Sequence, residues 1–278
     1  MAGETLRSKS ELTQRVISAL IMAVAAIFAD WWGEWPFALL WCALAVAVAY
    51  EWGRIVSPAR AGFLAALVGG IGSVIVISTL LPETAPYALL SGLGGILATF
   101  LFARDAARGW LATGTAYCFA LAFSTVLVRG EGQLGFVAIL YLFAVVWMTD
   151  IGAYFAGRTI GGPKFAPRIS PKKTWSGVIG GLIAGTGCGL AVLAGAGLGI
   201  KAPHVLLSLA LGVTVVFGDL FESFLKRRFG VKDAGSIIPG HGGILDRLDG
   251  FTLAVTLAAL IGFARGGWRD VPGGLLGW

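Results

Sequence analysis

An all-α fold, a polytopic bundle of transmembrane helices, follows from three features of this chain. Apolar residues fill 57% of its 278 positions and charged residues only 13%. With a mean hydropathy of +0.83, a water-soluble domain could not cover so much apolar surface, so the bilayer must be the solvent. The apolar residues also come in runs of around 20 without strict alternation, which indicates helices, since only helices and closed barrels satisfy their backbone in lipid.

Nine spans are predicted, at roughly 14–32, 36–53, 61–81, 87–103, 110–128, 135–157, 177–199, 203–225 and 244–264. Arg7, Lys9 and Arg15 ahead of the first run have the charge of a secretory signal, but no small-residue cleavage site follows and more runs come next, so 14–32 is read as a span. The second to fifth runs are nearly uncharged. The sixth, eighth and ninth are the least purely apolar, because Asp150, Asp219, Glu222, Asp246 and Asp249 fall within or beside them. In the seventh, Gly177, Gly181, Gly185 and Gly189 recur every four residues, a spacing that lets another helix approach backbone to backbone. Close packing is likewise expected of Gly195, Gly197 and Gly199, because no strand precedes them to make a dinucleotide motif. Cys42, Cys118 and Cys188 sit inside spans without the spacing of a zinc or disulfide framework, and read as small buried hydrophobes. No repeat or linker divides the chain, so one domain over 1–278 is expected.

Lys and Arg set orientation in the membrane. Seventeen of the 21 fall before the first span or in alternate loops on one side, leaving Arg129, Lys201, Arg265 and Arg269 on the other. The N-terminus is therefore predicted to be cytoplasmic and the C-terminus outside. Ten of the seventeen lie in the loops 158–173 and 226–247, which puts both on the cytoplasmic side, where nucleoside triphosphates are found.

The charge is densest from Gly218 to Gly250. On a helix, Asp219, Glu222, Ser223 and Lys226 fall at i, i+3, i+4 and i+7 and share one face, which must look onto protein or a water-filled cavity. Asp246 and Asp249, three apart at the start of the ninth span, share another. If the two faces meet, Asp219, Asp246 and Asp249 converge, and converging carboxylates must protonate or share a cation. Hard oxygen ligands favour Mg²⁺. Spacing alone leaves two readings open: metal ligation, or a structural network with Lys226, Arg227 and Arg247. Upstream, Arg158, Lys164, Arg168, Lys172 and Lys173 stand among glycines and prolines that rule out a continuous helix. Ser170-Pro171-Lys172-Lys173-Thr174 sets two hydroxyls and two ammoniums before a helix start near Gly177, a combination suited to phosphate. Asp150, Tyr154 and Arg158, each one turn from the next, line one face of the sixth span.

The segment 223–249, with Ser223, Lys226-Arg227, Lys232-Asp233, Gly235, Pro239, His241-Gly242-Gly243, Asp246-Arg247 and Asp249, resembles the signature of the phosphatidate cytidylyltransferase (CDP-diacylglycerol synthase) family. Asp150-x-x-Ala153-Tyr154-x-x-Gly157-Arg158 and Ser170-Pro171-Lys172-Lys173-Thr174 also match it, whereas Ser176 stands where that family carries Glu or Gln. The resemblance implies a metal-dependent cytidylyl transfer in the cell (inner) membrane, in which phosphatidic acid attacks the α-phosphate of CTP to give CDP-diacylglycerol and pyrophosphate. It implies Mg²⁺, with room for a second cation, held by Asp246, Asp219 and Asp249, and a catalytic set of these three with Lys226. Substrate binding is expected of Asp150, Arg158, Ser170, Lys172, Lys173, Thr174, Arg227, Lys232, His241 and Arg247. CTP, phosphatidic acid and membrane lipids are the implied partners. A homodimer is allowed, and no nucleic acid is expected. Two other readings compete. A CTP-dependent polyprenol or phytol kinase would need a base such as His241 or Asp219 for the lipid hydroxyl, and an ion-coupled secondary transporter would use Asp150 and Asp219 as carriers. No Walker-A lysine loop is present, which argues against a P-loop enzyme.

Overall fold

The computed structural model describes the backbone of residues 2–103, 106–235, 237 and 242–278, with side chains from residue 17 onward in those ranges except residue 82. Pro239 and His241 of the signature lie outside the described residues.

The chain is a helical bundle in the order α1 (Ala2–Trp32), α2 (Glu34–Val56), α3 (Ala61–Leu80), α4 (Ala85–Phe102), α5 (Arg108–Arg129), α6 (Gly132–Thr159), a β1–β2 hairpin (Lys164–Ala166 and Ser170–Thr174), α7 (Trp175–Gly195), α8 (Ala202–Arg228), α9 (Leu245–Gly266) and the short α10 (Val271–Leu276). The all-α prediction holds. The one β element is the hairpin, which gives the Gly/Pro-punctuated basic loop its shape. Its strands are antiparallel, with Lys164 opposite Thr174 and Ala166 opposite Ser170. Gly161 and Gly162, at φ 67° and 104°, turn the chain out of α6 into it, a backbone region that other residues rarely enter.

Among the described residues, eight helices are long and apolar enough to cross a membrane, α2 through α9. They cover the second to ninth predicted spans. The first predicted span, 14–32, falls on α1, whose described side chains begin at Ile17. It is tied to the bundle by a buried ion pair, Arg129 Nε to Asp30 Oδ1 at 2.9 Å. Arg129, counted above with the loop cations, is thus an interior residue at the end of α5.

α2, α5 and α6 carry most of the buried side chains, including Trp41, Trp52, Tyr117 and Tyr141, while α3, α4 and α7 turn broad apolar faces outward. Such faces are what lipid contact requires. The α6–α7 pair is the most extensive helix contact and follows the glycine spacing. A β-carbon at Gly177 would lie 2.9 Å from the Ala153 carbonyl, one at Gly181 2.5 Å from the Thr149 carbonyl, and one at Gly185 2.7 Å from the Val145 carbonyl. The two backbones touch, and no side chain fits between them. The packing role expected of Gly195, Gly197 and Gly199 is not found. Nothing lies within 4 Å of a β-carbon at any of the three, and Gly197 has φ +76°. Gly195 ends α7 and Gly197 turns the chain after it. Cys42 and Cys118 are buried, Cys188 is half-buried, and all three are free thiols.

Candidate active site

The ends of α6, α8 and α2 and the starts of α7 and α9 gather at one end of the bundle, together with the hairpin. A cavity of about 700 Å³ opens among them. α6 lines it with Asp150, Tyr154 and Arg158, and the hairpin with Ser170, Lys172, Lys173 and Thr174. α8 contributes Asp219, and α9 contributes Asp246, Arg247 and Asp249. The predicted shared face of α6 is seen directly, with Arg158 Nη1 donating to the Tyr154 hydroxyl at 2.7 Å.

The basic loop and the acidic helix meet in one ion pair, Lys173 Nζ to Asp219 Oδ2 at 2.8 Å. Lys173 also donates to the Val216 carbonyl at 3.4 Å, and the Ser223 hydroxyl reaches Asp219 Oδ1 at 3.4 Å. Asp219 therefore sits where the two sequence segments touch. One turn on, Glu222 is buried, with Oε1 2.7 Å from Lys226 Nζ. Lys226 bridges from there to Asp246 Oδ1 at 2.8 Å, and Asp246 Oδ2 accepts the Gly243 N–H at 3.1 Å. Asp249 Oδ1 accepts its neighbour's N–H, from Gly250, at 2.8 Å.

The carboxylates that converge are not the three expected. Among the described residues, Asp219, Glu222 and Asp249 each offer an oxygen within 4.8 Å of the others. Asp246, which like Asp219 and Asp249 lines the cavity, is held by Lys226 and the Gly243 N–H, whereas Glu222 is buried behind the cavity wall and is held by the same lysine. Glu222 shares the polar face of α8 with Asp219 and has the longer side chain, and Lys226, a further turn along, binds Glu222 and Asp246 alike. The donor set suits a hard divalent ion. Ligand oxygens around Mg²⁺ lie about 3.0–4.2 Å apart for bonds of 2.0–2.1 Å, so small side-chain rotations would close the trio on one ion.

Three further expectations change. Thr174 caps α7, its buried hydroxyl accepting the Gly177 N–H at 3.1 Å, so the helix begins at Trp175 and the hydroxyl has a structural task. Arg227 is outside the cavity; its Nε donates to the Ile169 carbonyl and pins the end of α8 to the hairpin turn. Lys232 is exposed and also outside the cavity. At the departing position, the Ser176 hydroxyl donates to the Gly161 carbonyl and bonds Thr174 Oγ1 at 3.0 Å, closing the base of the hairpin.

Residues without an assigned role also support the site. The Tyr117 hydroxyl donates to the Asp249 carbonyl at 3.2 Å, and its ring lies 5.4 Å from Trp52 and 6.1 Å from Phe221. Glu51 of α2 accepts the N–H groups of Ile244 at 3.1 Å and Leu245 at 2.8 Å. An acidic residue inside an apolar run was the available signal for Glu51; for Tyr117 there was none.

Fold and cavity together define a class: a bundle of helices long and apolar enough to cross a membrane, with a cavity lined by carboxylates and cations at one end. The chain belongs to the cytidylyltransferase family, whose model matches residues 13–264. It is similar to proteins called phosphatidate cytidylyltransferase. That of Brucella suis is 40% identical over 268 residues, which is 95% of this chain and 97% of the relative. That of Pseudomonas aeruginosa is 35% identical over 268 residues, covering 92% and 98%, and that of Bacillus subtilis 34% over 257 residues, covering 87% and 94%.

Proposed function

We propose that this protein makes CDP-diacylglycerol by transferring the cytidylyl group of CTP to phosphatidic acid at this cavity. The Lys173–Asp219 pair carries the reading, because it joins a cationic, phosphate-suited segment to a carboxylate cluster in one space. A phosphatidate oxygen forms a bond to the α-phosphorus of CTP as the bond from that phosphorus to the β-phosphate bridging oxygen breaks, and pyrophosphate leaves. The attacking phosphomonoester carries a charge of about −1.5 to −2 near neutrality, so no general base is required. In-line displacement of this kind depends on positioning and charge neutralisation.

The residues divide accordingly. Lys172, Lys173 and Arg247 face the cavity and neutralise phosphate oxygens. Arg158, at the rim with Tyr154 and beside the exposed Phe155 and Ile160, meets the lipid phosphate. Asp219, Glu222 and Asp249 are the residues that would hold Mg²⁺, which when bound would supply charge neutralisation for the transfer. Lys226 keeps Glu222 and Asp246 in place. The cation distribution supports an orientation with the cavity on the cytoplasmic face, α1 as a ninth span and the N-terminus in the cytoplasm.

The test is purified protein with phosphatidic acid, Mg²⁺ and CTP labelled with ³²P at either the α- or the γ-position. α-Label in lipid with stoichiometric pyrophosphate is expected. γ-Label in lipid would make the protein a lipid kinase, and ion flux in proteoliposomes without nucleotide turnover would make it a transporter.

A further inference from the structure

Glu51 lies near the end of α2, only 2% exposed, in a helix whose other buried residues are apolar or glycine. Its two carboxylate oxygens divide between two backbone donors, Oε1 on the Ile244 N–H at 3.1 Å and Oε2 on the Leu245 N–H at 2.8 Å. These are the residue before α9 and its first residue, and they belong to the N–H groups that a helix start leaves without an internal partner. No side chain at Ile244 caps the helix. The cap comes instead from a residue 193 positions earlier in the chain.

Two described glycines between α8 and α9 lie against the same carboxylate. A β-carbon on Gly243 would lie 2.7 Å from Glu51 Oε2, and one on Gly235 would overlap Oε1. Two glycines of the signature thus have a steric reason, since the backbone at Gly235 and at Gly243 passes against Glu51. The next residue after the capped pair is Asp246, and Asp249 follows one turn later. Glu51 thereby determines where α9 begins relative to α8, and with it how Asp246 and Asp249 stand against Asp219 and Glu222.

We propose that Glu51 is a positioning residue for cytidylyl transfer, acting through the first turn of α9 and touching neither substrate. This rests on the reading of the cavity given above. A negative group at a helix N-terminus is favoured by the backbone dipole as well as by the two hydrogen bonds, and an error of about 1 Å in reacting geometry is enough to cost roughly 10²-fold in rate.

The experiment compares Glu51→Gln and Glu51→Ala with wild type and with Cys42→Ala, a buried change on the same helix far along from the cap. Amide hydrogen exchange of segment 242–249 is measured on full-length protein in detergent without metal, and kcat and KM for CTP are measured with phosphatidic acid and Mg²⁺. Expected are faster exchange at Ile244 and Leu245 in both Glu51 variants and a fall of roughly 10²-fold in kcat for Glu51→Ala with KM for CTP moved by less than about threefold. Glu51→Gln keeps the shape and one acceptor and falls between. Cys42→Ala should leave both the exchange of this segment and kcat per folded molecule unchanged. Unaltered exchange in Glu51→Ala overturns the cap. Faster exchange with unaltered kcat, or an equal kcat loss in Cys42→Ala, overturns the positioning role. Wild-type protein that yields no labelled lipid sinks the cytidylyl reading itself, a different result from active wild type with indifferent variants.

Discussion

Replacing Lys173 with alanine separates the structural and the catalytic value of the contact that joins the two segments. Lys173 Nζ and Asp219 Oδ2 are 2.8 Å apart, with side chains 21% and 37% exposed, so water screens the pair in part. Ion pairs so exposed are worth about 0.5–1 kcal/mol. A charged hydrogen bond to a substrate phosphate is worth more, about 1.5–3 kcal/mol. Lys173→Ala should therefore lower kcat/KM by roughly 10- to 150-fold while costing no more than about 1 kcal/mol of stability. Pyrophosphate release in mixed micelles, with CTP and phosphatidic acid varied in turn, gives the kinetic half, and tryptophan fluorescence during thermal unfolding in detergent gives the other. If kcat/KM for both substrates stays within twofold, or if the loss follows unfolded protein alone, Lys173 is a structural strut and the phosphate assignment is wrong.

Asp246→Asn turns an NH₂ toward either Lys226 or the Gly243 N–H, so the protein should remain folded but lose at least about 10²-fold in turnover, the scale of a misplaced catalytic constellation; near-normal activity at saturating Mg²⁺ would remove Asp246 from the site. Gly181→Ala should destabilise by about 1–3 kcal/mol, because its β-carbon meets backbone 2.5 Å away, whereas Gly195→Ala, with open space around it, should be neutral or slightly stabilising. Equal effects in thermal unfolding would contradict the packing of α6 on α7. A cysteine at Ser170, in a background lacking Cys42, Cys118 and Cys188, should react with an impermeant maleimide only from the cytoplasmic side and be protected by CTP with Mg²⁺. Labelling from outside would invert the proposed orientation.

The sequence by itself determined that this chain is helical and membrane-bound, because backbone in lipid has so few ways to satisfy its hydrogen bonds that apolar runs of about 20 residues leave little choice. It determined that α7 would take another helix against its backbone, since glycine every four residues allows an approach that any side chain forbids, while only the structure shows that the partner is α6. The two charged segments that line the cavity were also legible, as a charge density that lipid would not tolerate without a polar cavity. What only the tertiary structure decided was partnership across long separations. Helical periodicity places Asp219, Glu222 and Lys226 on one face, but it does not say that Lys226 reaches across to Asp246 or that Glu222 comes to lie beside Asp219 and Asp249. Nor does it show that Thr174 is consumed as a cap, or that Arg227 turns to the Ile169 carbonyl and away from the cavity. Glu51 is the furthest case: α2 precedes α9 by some 190 residues, and only the packed bundle brings its carboxylate to the N–H groups of Ile244 and Leu245. Periodicity along one helix is a local property of the chain, while the choice of partner depends on how far each side chain can extend once the helices have met.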